Sequence, residues 1–227
     1  MKDLDFKHRF IPSSSQQEYI ADNSNRAYTQ KDNQSNSLTL LLLHGTGGNE
    51  DDLIQVGQMI SSTASLLSPR GKVLENGMPR FFRRLSEGVF DLDDLELRTK
   101  ELSDFVKDAS NIYRFDINKI VAVGFSNGAN IATSLLLSYP ETLRGAILFR
   151  AMVPFIPDSP PNLSDKQVLL SAGMFDPIVS ESQTQNLFDL LKKSGAKVTL
   201  KWQQQSGHNL TESDILYSKE WLARNFK

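Results

Sequence analysis

The chain has 227 residues, 39% of them apolar and 23% charged, with a formal net charge of −2. That length suits one domain able to bury about 70% of the surface its unfolded chain exposes. The near-neutral balance excludes the basic excess by which binders of nucleic acid or anionic lipid hold their partners. Cysteine is absent, which excludes disulfides, thiolate-ligated metals and a thiol nucleophile together.

Taken in chain order, Met1 to Phe10 mix both charge signs around no apolar core. That is unlike a secretory signal, and a cytoplasmic protein is expected. Residues 1–36 read as an N-terminal strand or hairpin extension. Within it, residues 12–37 are rich in Ser, Asn, Gln and Asp and read as a solvated hairpin or loop outside the main sheet. Strands are expected at Leu38 to Leu43 and Ser65 to Ser68. Apolar runs such as Leu40 to Leu43 are far shorter than the ~20 residues of a membrane span. A long connection runs from Ser68 to Asp91, and long connections in compact domains usually serve function. In Asp94 to Tyr113 the residues Leu95, Leu102, Phe105, Val106, Ala109, Ile112 and Tyr113 recur at helical steps. A strand at Lys119 to Phe125 then leads into a helix at Asn127 to Ser138. Strands at Ala146 to Phe149 and Val168 to Ala172 follow, then a helix at Glu181 to Ser194 that Gly195 stops. A strand at Val198 to Trp202 and a helix at Glu212 to Asn225 complete the chain. Strands that are apolar at consecutive positions and alternate with helices predict an α/β fold, a doubly wound and mostly parallel sheet in a single domain spanning residues 1–227.

Chemistry enters at Gly124-Phe125-Ser126-Asn127-Gly128. The G-x-S-x-G string is only moderately specific alone, but here it lies between a predicted strand and a predicted helix. A sharp strand-to-helix turn would strain the serine and lift its hydroxyl above the sheet edge, with glycines where side chains would collide. An incidental serine in such a turn is the bland alternative. A serine hydroxyl is inert near neutrality without a base beside it, and the chain holds only three histidines. His8 precedes the sheet core, and His44 closes the strand that leads into a glycine loop. His208 lies in a loop after the last strand, where a serine elbow's base is found; the orienting acid falls between nucleophile and base. Glu141, Asp158, Asp165, Asp176, Glu181 and Asp189 occupy that interval, and only Asp176 directly follows a β run. Pro177 biases Asp176 away from helix, as suits a loop carboxylate, although Asp-Pro is also an ordinary turn. The N–H of Asn127 is the expected first oxyanion donor. The loop His44-Gly45-Thr46-Gly47-Gly48 offers the N–H of Thr46 as a second. That loop lacks the spacing of a phosphate-binding loop. Metal-ligand spacing is absent too, so neither metal nor cofactor is expected.

Together these strings resemble the carboxylesterase/phospholipase family of α/β-hydrolases, which includes acyl-protein thioesterases. The resemblance rests on Leu41-Leu-Leu-His-Gly-Thr-Gly-Gly-Asn-Glu50, Gly124-Phe-Ser-Asn-Gly-Ala-Asn130, Gly173-Met-Phe-Asp-Pro-Ile-Val179 and Ser206-Gly-His-Asn-Leu-Thr211, and it covers nearly everything after residue 36. Ser68-Pro-Arg-Gly71 and Glu75-Asn-Gly-Met-Pro-Arg-Phe-Phe-Arg-Arg84 are similar to a small bacterial branch of quinone-responsive hydrolases. The resemblance implies an α/β-hydrolase fold without a large lid domain. Ser126, Asp176 and His208 would then form the triad, with Thr46 and Asn127 at the oxyanion hole. Where better-studied esterases often carry Leu after His-Gly, this chain has Thr46, which backbone donation tolerates but acyl-pocket shape need not.

The expected activity is hydrolysis of small to medium carboxylic esters through an acyl-enzyme. A thioesterase or lysophospholipase-type deacylase, or a non-catalytic binding protein on the same fold, are the alternatives. The expected partner is a small-molecule ester, with neither nucleic acid nor membrane involved, and a homodimer is left open. Met78, Phe81 and Phe82 are expected to wall the leaving-group side. The arginines among them (Arg70, Arg80, Arg83 and Arg84) read as a solvated charge run before they read as an anion site. Met152 and Val153 are expected to line the acyl side, with core packing as the equal alternative.

Overall fold

Apolar residues on successive positions of a strand bury both faces of a sheet, and the leucine run after residue 38 does this. The computed structural model describes residues 4–13 and 37–226. The strands are β1 (His8–Ile11), β2 (Thr39–Leu43), β3 (Ser65–Pro69), β4 (Val73–Glu75), β5 (Met78–Arg80), β6 (Arg84–Ser86), β7 (Val89–Phe90), β8 (Ile120–Phe125), β9 (Gly145–Phe149), β10 (Gln167–Gly173) and β11 (Lys197–Gln203). The helices are α1 (Ile54–Ile60), α2 (Leu92–Tyr113), α3 (Asn127–Ser138), α4 (Glu181–Lys193) and α5 (Glu212–Asn225). A seven-stranded sheet runs in the order β1-β3-β2-β8-β9-β10-β11. All its pairings are parallel except β1 with β3 at the edge.

The period of two along each strand divides the core. Leu41 and Leu43 of β2 and Ala122 of β8 join the cluster beneath α2, α3 and α4, which includes Leu102, Leu135 and Leu187. Leu40, Leu42, Val121 and Val123 point to the opposite face, where Ile60 of α1 and Trp221 and Leu222 of α5 cover them. Helices on both faces are what a parallel sheet of this composition requires.

Two features depart from the expectation. The connection after Ser68 is no plain loop: it folds into two small antiparallel hairpins, β4–β5 and β6–β7, with glycines at positive φ at both turns, Gly77 and Gly88. α1 is an additional helix, short enough at 7 residues that its spacing in the sequence is a weak signal. The polar stretch expected as a hairpin or loop at 12–37 lies, for residues 14–36, outside the described residues.

β2 is the switch point of the sheet. The chain leaves it for β3 on one side, and later places β8 on the other. Crevices at the carboxyl ends of such strands are where open α/β sheets bind ligands. The register pairs Leu43 with Gly124, so His44 and the following loop emerge beside Phe125 and Ser126.

Candidate active site

Ser126 sits between β8 and α3 with φ 52° and ψ −115°, a backbone region costly for any residue with a side chain. Its N–H donates to Phe149 O of β9 at 2.9 Å, which ties the elbow to the neighbouring strand. The flanking glycines are required by space. A Cβ on Gly124 would lie 2.7 Å from the backbone of Ala129, and one on Gly128 would overlap the carbonyls of Leu43 and His44.

The structure brings Ser126, His208 and Asp176 together. His208 Nε2 lies 2.8 Å from Ser126 Oγ, and Nδ1 lies 2.8 Å and 3.1 Å from the two carboxylate oxygens of Asp176. A carboxylate only accepts, so Nδ1 carries the proton and Nε2 is left to accept from the serine hydroxyl. The Asp176 side chain is 1% exposed and that of His208 is 18% exposed. Asp176 Oδ1 also accepts from the N–H groups of Ile178 at 2.8 Å and Val179 at 2.9 Å, which fixes the carboxylate's rotation. The acid loop is joined to the histidine loop where Phe175 N–H donates to Ser206 O at 3.0 Å.

Neither of the other histidines approaches the serine. His8 is hydrogen-bonded to Tyr113 Oη at 2.7 Å and to Phe6 O at 2.6 Å. His44 is buried: its Nε2 accepts from Gly71 N–H at 3.0 Å, so Nδ1 donates to Gly45 O at 2.7 Å. Burial pushes the His44 imidazole below the usual histidine range and outweighs the Gly45 carbonyl, which acts the other way. This neutral ring lies against Phe81, 4.7 Å between centroids, and fixes the start of the glycine loop.

In that loop, Gly47 N–H donates to Pro79 O at 2.9 Å and Gly48 N–H to Gly45 O at 3.1 Å. Among the described residues no backbone carbonyl accepts from the N–H of Thr46 or of Asn127. The Asn127 side chain faces inward, its Oδ1 accepting from Phe81 N–H at 2.8 Å.

Of the arginines after Ser68, Arg83 remains solvated at 61% exposed, whereas Arg80 does not. Arg80 is 3% exposed and donates from Nη1 to Thr46 Oγ1 at 2.6 Å and from Nε to Phe82 O at 3.2 Å. Arg84 is paired with Glu75 at 2.9 Å, Arg83 with Asp91 at 3.1 Å, and Arg70 with Glu50. Hairpins with short strands have few backbone bonds to hold them; Arg80 ties the segment to the glycine loop at Thr46 and Arg70 ties it to Glu50 just beyond, while Arg84 pairs within the segment and Arg83 with its exit at Asp91. Phe81 and Phe82, at 2% and 0% exposed, are core residues beside α2 and α3 and no exposed wall. Met78 remains partly exposed, close against Gly47. Met152 is buried with its N–H donating to Asn130 Oδ1 at 3.0 Å, and half-buried Val153 packs on the same core. Among the described residues no cluster of His, Asp and Glu could hold a metal ion, and no helix is long and apolar enough to cross a membrane.

Residues 24–225 match the phospholipase/carboxylesterase family. The chain belongs to that family. It is 49% identical over 182 residues to MhqD of Bacillus subtilis, covering 80% of this chain and 90% of that protein. Among solved structures, the Bacillus cereus carboxylesterase superposes with a TM-score of 0.83 at 48% identity, over 92% of this chain and 99% of that one. YahD, solved with malic acid, also reaches 0.83, at 28% identity and with 97% and 99% covered. The fold is that of the family's carboxylesterases, and the chain is a hydrolase of carboxylesterase type.

One residue near the site had no place in the sequence reading. Arg150 adopts a left-handed φ of 55° directly after β9 and is wholly buried. Its only sequence signal is a lone charge between the apolar strand Gly145–Phe149 and Ala151-Met152-Val153, a stretch whose hydrophobicity draws attention to packing.

Proposed function

We propose that this chain is a serine carboxylesterase that hydrolyses small to medium carboxylic esters through an acyl-enzyme. The supporting observation is the hydrogen-bonded line from Ser126 Oγ through His208 to the buried Asp176, at the switch point of the sheet. Ser126 Oγ attacks the ester carbonyl carbon while its proton passes to His208 Nε2. Asp176 stabilises the resulting imidazolium and keeps the Nδ1 proton on its own side. The oxyanion of the tetrahedral intermediate accepts from the N–H groups of Asn127 and Thr46. Removing one such donor typically costs about 2.7–4 kcal/mol of barrier. Collapse expels the alcohol, which takes the proton from His208. Water then attacks the acyl-enzyme with His208 again as base, releasing the acid and restoring Ser126.

The acyl-size assignment is supported by the buried Arg80, Phe81 and Phe82 beside the loop, and by the lack of a large insertion among the described residues from Ser37 onward. The test has two arms. A fluorophosphonate should add its mass to the Ser126 peptide, and Ser126→Ala should lose both labelling and turnover. On a panel of p-nitrophenyl esters of rising chain length, kcat/KM should peak at short to medium chains. Labelling elsewhere, or equal turnover by Ser126→Ala, would refute the proposal.

A further inference from the structure

Arg150 and Asp214 form an ion pair with no solvent exposure on either side chain. The guanidinium fork meets Asp214 bidentately, Nη1 to Oδ1 at 3.0 Å and Nη2 to Oδ2 at 2.7 Å. Two of its three remaining N–H groups turn to the histidine loop. Nε donates to Gly207 O at 2.9 Å, and the second N–H of Nη2 is shared between Asn209 O at 2.7 Å and Ser206 Oγ at 2.8 Å. One planar cation thus holds the carbonyls immediately before and immediately after His208. It is itself fixed to β10 through Ser171 O at 3.2 Å. Asp214 is the third residue of α5, closing a capping box with Thr211, and accepts from Ser171 Oγ at 2.6 Å. Burial pushes the Asp214 carboxyl up, but the hydrogen bonds from Arg150 and Ser171 outweigh it and hold the group below the usual carboxylate range.

A buried ion pair is a poor device for stability alone, since apolar residues of similar volume serve as well or better. An apolar pair has nothing to donate to Gly207 O and Asn209 O. Lysine, a point charge on a flexible stem, lacks the rigid fork that reaches the carboxylate and both carbonyls together. We propose that Arg150 is a positioning residue that holds the His208 loop so that Nε2 stays in line with Ser126 Oγ and Nδ1 with Asp176. This rests on the reading of those three residues as the catalytic array.

The experiment compares wild type, Arg150→Lys, the double variant Arg150→Met with Asp214→Asn, and Leu191→Ala. The last truncates a buried side chain of α4 away from the site and reports what loss of stability alone does. A misplacement on the order of 1 Å can cost about 10²-fold in rate. The double variant, shown to be folded by circular dichroism, should therefore lose about that factor in kcat, with KM within about twofold. Its rate of fluorophosphonate labelling at Ser126 should fall in parallel. The downfield proton resonance of the Asp176–His208 hydrogen bond should be sharp in wild type and broaden in the double variant. Arg150→Lys keeps the charge and should lose about tenfold in kcat at a Tm near wild type. Leu191→Ala should lower Tm and leave kcat and the resonance alone. If the Arg150 variants behave like Leu191→Ala, the positioning role is wrong. If wild-type Ser126 resists labelling and Ser126→Ala keeps full activity, it is the underlying catalytic reading that fails, and wild type reveals this before any Arg150 variant is measured.

Discussion

Asp176→Asn changes one atom type at a site whose hydrogen bonds dictate the consequence. Oδ1 of Asp176 accepts from the backbone N–H groups of Ile178 and Val179. In the amide that position must be filled by the remaining oxygen. The NH2 group is thereby turned toward His208 Nδ1, which now lies 2.8 Å from Oδ2. A donor there forces Nδ1 to accept, moves the imidazole proton to Nε2, and leaves Ser126 Oγ facing N–H where it needs a base. The corresponding change in another serine hydrolase lowers kcat about 10⁴-fold with the geometry intact. At about 1.36 kcal/mol per tenfold, that is roughly 5.4 kcal/mol of barrier. KM should stay within about threefold, because a side chain 1% exposed behind the histidine cannot touch substrate. The assay is steady-state turnover of a short-chain p-nitrophenyl ester, with Tm measured alongside. The same substitution at Asp158, Asp165 and Asp189, the other aspartates between Ser126 and His208, should leave kcat within about threefold; these are surface groups, Asp165 paired with Lys166 and Asp189 with Gln185. If Asp176→Asn keeps more than about a tenth of wild-type kcat while folded, the tautomer argument is wrong, and Asp176 is not the orienting acid.

His44 is held neutral by burial, its basicity lowered in the fold. Its contribution to stability is therefore complete above the unfolded value near ~6.5 and is lost as pH falls below it toward the folded value. Tm should drop on going from about pH 7 to pH 5, and His44→Gln should remove that part of the dependence; an unchanged slope would contradict it. Arg80→Lys keeps a cation beside Glu75 but cannot reach both Thr46 Oγ1 and Phe82 O. It should lower kcat about tenfold with little change in KM, and unaltered kcat would remove Arg80 from the support of the oxyanion loop. Ser126→Gly should be more stable than Ser126→Ala by about 1 kcal/mol or more, since only glycine accepts φ 52°, ψ −115° without strain; equal Tm values would show the elbow to be unstrained. EDTA should leave turnover unchanged, and loss restored by an added metal would contradict a metal-free mechanism.

The cluster proposed as catalytic was legible because its parts are local strings. Gly124 to Gly128 fits one turn only, His208 occupies the loop after the last strand, and Asp176 follows a β run directly. Strands and long helices were legible for the same reason, since apolar period and caps lie within a dozen residues. What escaped was set by distance along the chain. β1 gains its place from pairing with β3, nearly 60 residues away, and its four residues have no internal signal for that pairing. Arg80 read as solvated because its partner is invisible locally: Thr46 lies 34 residues before it. Arg150 meets Asp214 across 64 residues.

The missed residues share one physical task. A parallel sheet ends in carbonyls and loops that the fold's hydrophobic core does not hold, and the reactive groups are built there. Ser126 and Arg150 take left-handed φ at the ends of neighbouring strands. Each conformation costs of order 1–3 kcal/mol and persists only where surroundings over-determine it. Around Ser126 those surroundings are steric, in two glycines and the bond to Phe149 O. Around the histidine loop they are electrostatic, in a buried cation that three carbonyls and one carboxylate surround. Around the oxyanion loop they combine a neutral imidazole, a buried arginine and a backbone bond from Gly47 to Pro79. Three separate loops are thus held to the same sheet edge by three unlike devices, of which only the glycines around Ser126 belong to a motif that the sequence shows. A short string of residues can supply the reacting atoms, but keeping Nε2 at 2.8 Å from Oγ draws on contacts from β9, β10, the β4–β5 hairpin and α5. For that reason the most informative variants lie at Arg80 and Arg150, where altered rate with preserved fold would separate the holding of the site from its chemistry.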